Sequence, residues 1–322
     1  MAKVDHYKDK IDAIKNEISK AVVGQENVIN NIIKGILTNS HILVEGVPGI
    51  AKTFLLRVIA EATGATCSRI QFTVDLLPTD IVGIIAYDEK KGFVTVKGPI
   101  FANFVIADEI NRAPPKTQSA LLEAMGEKQV TIGKKTYDLD KPFFVMATQN
   151  PIESAGVYTL PEAQLDRFLF KIKMKYPSPT EEKNILGSNL NVKEFNSFGI
   201  KKVITPKTII EMQERVKKII VGDKVKEYIV RIVEATRNTD KYKLKYGRYL
   251  DYGASPRASI GLFVAAKADA FMKGKDFVTP QNVKNIALPI LRHRLLLNYE
   301  AQAEGITTDQ VIEELLKRVP IR

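Results

Sequence analysis

The segment that decides the fold is the glycine-rich loop Gly46-Val47-Pro48-Gly49-Ile50-Ala51-Lys52-Thr53. The apolar run His41–Glu45 before it predicts a buried strand, and the apolar spacing of Phe54–Ile59 after it predicts a helix. A strand, a glycine-rich loop and Lys-Thr at the start of a helix form an arrangement that cradles phosphate groups. A chance Gly/Pro turn before a helix gives the same short pattern, so the loop alone predicts nucleotide binding and no more.

The residues of this loop have distinct predicted tasks. Gly46 and Gly49 allow backbone N–H groups to turn toward phosphate oxygens. Lys52 is expected to reach the β- and γ-phosphates, and the Thr53 hydroxyl to ligate Mg²⁺. The usual pattern has a second glycine where Ala51 stands, so we expect helical backbone angles at Ala51. The candidate nucleotide-binding residues are Gly46, Val47, Pro48, Gly49, Ile50, Ala51, Lys52, Thr53 and Phe54.

Two acidic residues end the next strongly apolar run, which predicts a strand over Asn103–Ala107. In a nucleotide-binding sheet this strand places Asp108 beside Thr53, where it holds Mg²⁺ directly or through water. Glu109 is then placed to polarise the attacking water as a general base. Two acids at a strand end are often only solvent-exposed, but their position downstream of a phosphate loop favours the catalytic interpretation.

Three further polar residues are candidates for the same chemistry. Asn150 follows an apolar strand pattern and is placed to orient water against the γ-phosphate. Arg167 either pairs with Asp166 in a structural role or reaches a neighbouring subunit's nucleotide as an arginine finger. Arg257 opens a helix after Gly-Ala-Ser-Pro and either reaches the γ-phosphate or is an exposed helix-start residue.

The order of elements predicts two domains. Short apolar strands alternate with helical patterns as far as residue 176, which is typical of a parallel sheet covered on both faces. Two β-hairpins interrupt this alternation, over Ile84–Gly98 and Gln129–Leu139. From residue 178 onward the pattern is helical, so we predict a nucleotide domain over 1–177 and a helical lid over 178–322.

Composition excludes several classes of protein. Of 322 residues, 45% are hydrophobic and 26% charged, an ordinary balance for a soluble globular chain. The single cysteine, Cys67, rules out an internal disulfide, and the three histidines show no zinc-site spacing. We find no apolar stretch long enough for membrane insertion and no secretory leader, so we expect a cytoplasmic protein.

The net charge of +11 is concentrated in one window. Residues 201–250 hold 14 Lys/Arg and 6 Asp/Glu. A basic patch can attract nucleic acid, anionic lipid or an acidic partner. A solvated, lysine-rich helical surface explains the same composition, and we favour that interpretation.

Several longer strings resemble the MoxR family of AAA+ ATPases, and the resemblance spans roughly residues 20–320. The strings that carry it, matched in order, are Gln71-Phe72-Thr73-Val74-Asp75-Leu76-Leu77-Pro78, Ala107-Asp108-Glu109-Ile110-Asn111-Arg112-Ala113-Pro114-Pro115-Lys116, Leu121-Leu122-Glu123-Ala124-Met125 and Leu160-Pro161-Glu162-Ala163-Gln164-Leu165-Asp166-Arg167-Phe168. This family also tends to carry alanine at the position of Ala51.

The resemblance implies a fold and an assembly. The implied fold is an αβα sandwich with a five-stranded parallel sheet of order 5-1-4-3-2, followed by an all-helical lid. The implied assembly is a homo-oligomeric ring, usually a hexamer, with ATP and Mg²⁺ between subunits. Both hairpins would then point toward the pore of the ring.

The resemblance also assigns roles to individual residues. It makes Lys52 and Thr53 the Walker A pair, and Asp108 and Glu109 the Walker B pair. Asn150 becomes sensor 1, Arg167 the arginine finger and Arg257 sensor 2, with Arg257 acting in its own subunit or in a neighbour. Val23 and Gly24 fall where the family contacts adenine.

One stretch departs from the family. Residues 152–158 read Ile-Glu-Ser-Ala-Gly-Val-Tyr, where the family is usually acid-rich before Gly-Thr-Tyr. This departure concerns contacts between subunits rather than the ATP chemistry.

Members of the family typically remodel partner proteins with von Willebrand factor A domains, so the resemblance implies a chaperone-like motor for complex maturation or for metal or cofactor insertion. A nucleic-acid motor is the main alternative, and the basic window would be its support, although no zinc-binding or helix-turn-helix module is visible. A scaffold without turnover is disfavoured by the intact Glu109. A small-molecule kinase is disfavoured because Arg167 and Arg257 make sense in a ring with a lid.

Overall fold

A computed structural model describes residues 2–47, 49, 52–151, 156–188 and 195–321. The chain forms two compact units. The sheet unit comprises Lys10–Phe168 and Ile172–Glu211, and the helical unit comprises Met1–Asp9, Leu169–Lys171 and Met212–Arg322. The domain division that we predict at residue 177 stays a prediction.

The described residues form eleven strands and thirteen α-helices. The strands are β1 His41–Glu45, β2 Cys67–Gln71, β3 Gly83–Asp88, β4 Gly92–Lys97, β5 Phe104–Asp108, β6 Gln129–Ile132, β7 Lys135–Asp138, β8 Phe144–Gln149, β9 Phe168–Lys173, β10 Leu250–Tyr252 and β11 Leu296–Leu297. The helices are α1 Ala2–Ser19, α2 Glu26–Leu37, α3 Lys52–Thr63, α4 Pro78–Val82, α5 Pro115–Glu127, α6 Glu162–Leu165, α7 Pro179–Ser188, α8 Pro206–Lys217, α9 Asp223–Ala235, α10 Pro256–Met272, α11 Pro280–Leu291, α12 Tyr299–Ala303 and α13 Thr308–Arg318.

The central sheet has the strand order β2-β5-β8-β1-β9. Counting only these five strands along the chain, this is the predicted order 5-1-4-3-2 read from the other edge, so the prediction is confirmed. The pairings β2–β5, β5–β8 and β8–β1 are parallel. Because parallel strands point the same way, β1, β5 and β8 bring their carboxyl ends to one edge of the sheet, where the glycine-rich loop, Asp108, Glu109 and Asn150 lie.

The central strands are apolar throughout because both faces of the sheet are covered. In β5 every side chain is buried, including the terminal Asp108. In β8 the side chains are buried as far as Thr148, and β1 is buried as far as Val44. Burial on both faces selects continuous apolar runs rather than alternation, which is why these strands were recognisable from sequence.

The two predicted hairpins are confirmed. Strands β3 and β4 pair antiparallel, and Asp88 Oδ1 accepts hydrogen bonds from the backbone N–H groups of Lys90 and Lys91 at 2.9 Å in the turn. Strands β6 and β7 also pair antiparallel, around Gly133 with its φ of 63°. The hydroxyls of Thr95 and Tyr137, 2.9 Å apart, link one hairpin to the other.

The first hairpin exposes large apolar side chains. Tyr87 and Phe93 are cross-strand partners whose ring centroids lie 5.4 Å apart, and they are 68% and 80% exposed. We call the exposed set on this hairpin the hairpin face, and it consists of Ile84, Ile85, Tyr87, Phe93 and Val96.

The helical unit is held by buried apolar side chains and by one buried acid. Tyr228, Phe271 and Ile286 are fully buried within it. The carboxylate of Asp269 accepts hydrogen bonds from Asn282 at 2.8 Å and Lys273 at 2.7 Å, which ties α10 to α11. The lid prediction holds for the helices, but β10 and β11 form a short antiparallel pair that helical spacing did not predict.

Within the described part of the chain, no helix combines the length and the apolar character that crossing a membrane requires.

Candidate nucleotide-binding site

The glycine-rich loop lies between β1 and α3. Gly49 has a φ of 82°, a left-handed conformation that glycine adopts without a Cβ penalty. The backbone N–H of Gly46 donates to Gln149 O at 3.2 Å, which joins the loop to the end of β8. Lys52 Nζ donates to Gly46 O at 2.5 Å, so the side chain folds back over the loop. Pro48, Ile50 and Ala51 lie outside the described residues, so the helical backbone angles expected at Ala51 stay a prediction.

Asp108 is the centre of the hydrogen-bond network at the sheet edge. Its Oδ1 accepts from the Thr148 hydroxyl at 2.6 Å, and its Oδ2 accepts from the Thr53 hydroxyl at 3.1 Å. The predicted proximity of Thr53 and Asp108 is therefore present in the fold. A buried carboxylate needs such donors, and Asp108 is only 7% exposed.

These donors keep Asp108 ionised. Burial raises the pKa of the Asp108 carboxyl, but hydrogen bonds from Thr148, Arg69 and Thr53 together lower it by more, so its pKa lies below the ordinary value. A carboxylate in this state accepts cations and hydrogen-bond donors throughout the neutral pH range.

Glu109 leaves the strand with a left-handed backbone, at φ 57° and ψ 50°. This conformation costs a non-glycine residue about 1 kcal/mol or more and is often found at functional sites. The backbone N–H of Glu109 donates to the Thr148 hydroxyl at 2.9 Å, which holds the turn. Its Oε2 accepts from Gln71 Nε2 at 3.0 Å and lies 3.0 Å from Arg112 Nε.

Arg69 makes the most direct charge contact with the network. Its Nη2 and Nε lie 2.7 and 3.1 Å from Asp108 Oδ2. The same Nη2 donates to Gln71 Oε1 at 2.7 Å. Arg69, Gln71, Asp108 and Glu109 therefore form one continuous chain of polar contacts across β2 and β5.

Two other candidates belong to the same unit. Asn150 follows β8 directly and is 5% exposed, so its position at the strand tip agrees with the sequence pattern. Arg167 precedes β9, and its guanidinium donates from Nη1 to the carbonyl oxygen of Leu122 in α5. The stretch whose sequence departs from the family ends at Tyr158. The backbone N–H of Tyr158 donates to Asn111 O at 2.7 Å, which anchors this end near Glu109.

Arg257 lies in the helical unit, at the first turn of α10. Its backbone N–H donates to the Ser255 hydroxyl at 3.2 Å, so Ser255 caps the helix. The loop ahead of the cap is fixed to the end of α9: Ala254 N donates to the Thr236 hydroxyl at 2.9 Å, and Arg237 Nε donates to Ala254 O at 2.7 Å. A helix start pinned in this way holds Arg257 in a defined place.

The predicted adenine contact lies in the connection between α1 and α2. Gly24 has a φ of 70°, and Glu181 Oε1 approaches to 2.0 Å from where a Cβ on Gly24 would stand. A side chain at residue 24 would therefore be strained by this backbone angle, and the Glu181 carboxylate would have to move away. Phe54 packs against Phe195 and Phe198, with ring centroids 5.6 and 5.4 Å away. The roles of Val23, Gly24 and Phe54 toward nucleotide stay predictions.

Sequence reasoning did not single out Arg69 or Thr148. Thr148 reads as part of an apolar strand, and Arg69 reads as an exposed position on an edge strand. The usable signal was alternation: Arg69 and Gln71 are two residues apart, so they share a face of β2. Only the pairing of β2 with β5 shows that this face meets Asp108 and Glu109.

Comparison with known proteins identifies the family. Residues 41–170 match the ATPase family associated with various cellular activities (AAA), and residues 247–315 match the AAA lid domain. Chaperone MoxR1 of Mycobacterium tuberculosis is 45% identical over 307 residues, which cover 95% of this chain and 80% of that protein. The chain belongs to the MoxR family of AAA+ ATPases.

Two further similarities extend over nearly the whole chain. Protein MoxR of Methylorubrum extorquens is 27% identical over 335 residues and covers 99% of this chain and 97% of that protein. A crystal structure from Cytophaga hutchinsonii superposes with a TM-score of 0.92 at 46% identity, covering 100% of this chain and 97% of the other. The chain thus shares the fold of that crystal structure, and its lid matches the AAA lid domain.

Proposed function

We propose that this chain is a Mg²⁺-dependent ATPase that forms a ring and remodels partner proteins. The observation that carries the proposal is the bonding of Thr53 and Thr148 to the two oxygens of Asp108, beside a glycine-rich loop. Lys52 and the loop backbone supply positive charge and donors for the β- and γ-phosphates. We assign nucleotide contacts to residues 46–54 and, at the adenine, to Val23 and Gly24.

The residues present suit magnesium. Mg²⁺ prefers oxygen ligands, and the Thr53 hydroxyl and the Asp108 carboxylate are 3.1 Å apart and both oxygen donors. Held by these two residues, Mg²⁺ would supply positive charge that neutralises charge developing on the phosphates during transfer. The residues' own part is to hold that position: Thr148 fixes Oδ1 of Asp108. Oδ2, which accepts from Thr53 and Arg69, stays charged because Asp108 is ionised.

Glu109 and Asn150 are our candidates for placing water. The left-handed backbone turns the Glu109 side chain away from the line of β5, and Thr148 holds that turn through the backbone N–H. A carboxylate placed there accepts a proton from water as the oxygen attacks. Asn150, at the adjacent strand tip, offers an amide to orient the same water.

We assign the remaining charge stabilisation to two arginines. Arg167 would face the nucleotide of a neighbouring subunit, and Arg257 would contact the γ-phosphate from the lid. Loss of that phosphate on hydrolysis removes their contacts and allows lid and neighbour to move. This arrangement requires a homo-oligomer, for which we propose a hexameric ring with the hairpins toward its pore.

The work of the ring is proposed to be chaperone-like. A relative at 45% identity bears the name chaperone. We propose clients with von Willebrand factor A domains and a role in complex maturation or in metal or cofactor insertion. We propose no nucleic-acid role for the basic window. Several of its cations are paired with nearby acids, as on a solvated helical surface; among them are Lys217 with Glu214, Lys226 with Asp223 and Lys241 with Glu234.

The test of this function is capture with a hydrolysis-blocked variant. Glu109→Gln protein loaded with ATP is used to pull partners from lysate, with and without nuclease, and Lys52→Ala protein is the control that cannot load. Nuclease-resistant capture of a von Willebrand factor A protein by Glu109→Gln alone supports the proposal. Nuclease-sensitive capture of nucleic acid would support the motor alternative instead.

A further inference from the structure

One oxygen of Asp108 serves two different groups. Oδ2 accepts from the Thr53 hydroxyl at 3.1 Å and from Arg69 Nε and Nη2 at 3.1 and 2.7 Å. Thr53 and Asp108 are the residues to which we assign Mg²⁺. A guanidinium and a divalent cation at one carboxylate oxygen repel each other, so binding of either weakens binding of the other.

The two sides of this contact differ in burial. The Arg69 side chain is 55% exposed, while that of Asp108 is 10% exposed. Arg69 is therefore the partner that can move. A second acceptor is already in reach, because its Nη2 donates to Gln71 Oε1 at 2.7 Å. Withdrawal from Asp108 leaves the guanidinium hydrated and hydrogen-bonded, which keeps the cost of withdrawal small.

Arg69 and its neighbour Arg112 form ion pairs with different carboxylates. Arg112 is ion-paired with Glu109, the proposed base, at 3.0 Å. Arg69 is ion-paired with Asp108, the proposed metal ligand. Two arginines of similar exposure thus act on two different carboxylates of one site, and each provides a control for the other.

We propose that Arg69 competes with the metal ion for Asp108 and so sets the Mg²⁺ concentration at which the site fills. This inference rests on the proposed ATPase function. Arg69 acts through Asp108 and is a positioning residue rather than a catalytic one. Because the pair is partly exposed and screened, we expect an effect of about threefold to tenfold on metal affinity.

The test measures metal binding instead of turnover. Mn²⁺ is titrated into protein saturated with a non-hydrolysable ATP analogue, and free Mn²⁺ is followed by electron paramagnetic resonance. Arg69→Gln is expected to bind Mn²⁺ about threefold to tenfold more tightly than wild type, because one competing cation is gone. Arg69→Lys keeps the positive charge and is expected to bind Mn²⁺ less tightly than Arg69→Gln. Arg112→Gln is the matched control and is expected to leave Mn²⁺ affinity within about twofold.

Unchanged or weaker Mn²⁺ binding in Arg69→Gln overturns the inference. Circular dichroism checks folding, and Arg69→Met, which keeps an apolar stem, is the second neutral variant if the first is unfolded. If wild-type protein binds no Mn²⁺ with the analogue, the proposed function fails and the inference fails with it. If wild type binds Mn²⁺ and both neutral variants match it, only the role of Arg69 is rejected.

Discussion

The carboxyl edge of the sheet and the hairpin face use their side chains in opposite ways. At the carboxyl edge, Thr53, Asp108 and Thr148 are buried or half-buried and bonded to one another. On the hairpin face, Tyr87 and Phe93 are mostly exposed. An edge whose polar groups satisfy each other is preorganised for chemistry. An exposed apolar surface offers contact area instead, so we propose that the chain binds its partners away from the edge at which it hydrolyses ATP.

The largest expected effect on nucleotide binding, and with it on every later step, comes from removing the cation of the glycine-rich loop. Lys52→Ala is expected to weaken ATP binding by about 100-fold or more, since hydrogen bonds to charged groups contribute roughly 1.5–3 kcal/mol each. Titration with a fluorescent ATP analogue measures this. The matched control is Lys134→Ala in the turn of the second hairpin, which should bind as wild type. Tight ATP binding by Lys52→Ala would remove the loop from the site.

The next prediction tests whether the nucleotide site at the carboxyl edge needs an arginine from a neighbouring subunit. Arg167→Ala is expected to lower turnover by about 10³-fold, because an arginine finger stabilises transition-state charge, with ATP affinity within about threefold of wild type. Steady-state phosphate release and nucleotide titration separate the two quantities. Wild type mixed with Lys52→Ala should also depart from additive turnover. If Arg167→Ala is silent, the finger lies elsewhere, and Arg112 is the next candidate.

A smaller effect concerns the stability of the sheet beneath the edge. His41 is buried at the start of β1; its Nδ1 accepts from Val145 N at 3.0 Å, and its other ring nitrogen, Nε2, lies 3.1 Å from Met125 O. Burial lowers the pKa of His41 to about 4, and a counteracting hydrogen bond to Met125 does not restore it. The neutral ring is therefore the form that fits, with Nε2 as the donor.

The sign of the pH dependence follows. Between pH 6.5 and 4 the unfolded chain protonates His41 and the folded chain does not, so the free energy of unfolding falls as pH falls. The contribution reaches about 3 kcal/mol near pH 4. Denaturant unfolding from pH 7 to 4 should show a shallower pH slope in His41→Gln than in wild type. His6→Gln, at an exposed position, should keep the wild-type slope; equal slopes in all three proteins would refute the assignment.

The smallest effect is expected on the hairpin face. Tyr87→Ser and Phe93→Ser remove an exposed aromatic pair, so the free energy of unfolding should change by about 1 kcal/mol or less. Basal ATP turnover should stay within about twofold of wild type, as measured by phosphate release. A loss of turnover as large as that of Lys52→Ala would break the separation between the two regions.

Much of the fold was predictable because the central strands are buried on both faces and are therefore continuous apolar runs in the sequence. The runs ending at Glu45 and Asp108 are apolar because both sheet faces are covered, and this located the loop and the acids. The order of the strands came from family resemblance, since periodicity does not tell which strand lies beside which. The pair β10–β11 was missed because strands of three and two residues are too short for alternation.

The site was predictable in part for the same reason. The proximity of Thr53 and Asp108 follows from the phosphate-loop pattern, in which an acid that ends a later strand lies beside the Lys-Thr pair. The contact of Arg69 with Asp108 does not, because it depends on β2 lying next to β5 and on a register that the sequence does not state. The left-handed backbone of Glu109 was also invisible, since glutamate has no preference for that conformation.

The proposal that ATP is hydrolysed at the carboxyl edge of the sheet depends on Glu109 as the general base. One measurement tests this assignment most directly. ATP binding and phosphate release are measured with Mg²⁺ for wild type, Glu109→Gln and the hairpin-turn control Glu89→Gln. We expect Glu109→Gln to bind ATP within about threefold of wild type and to release phosphate at least about 100-fold more slowly. Glu89→Gln should match wild type in both measurements. Undiminished phosphate release by Glu109→Gln would contradict the account.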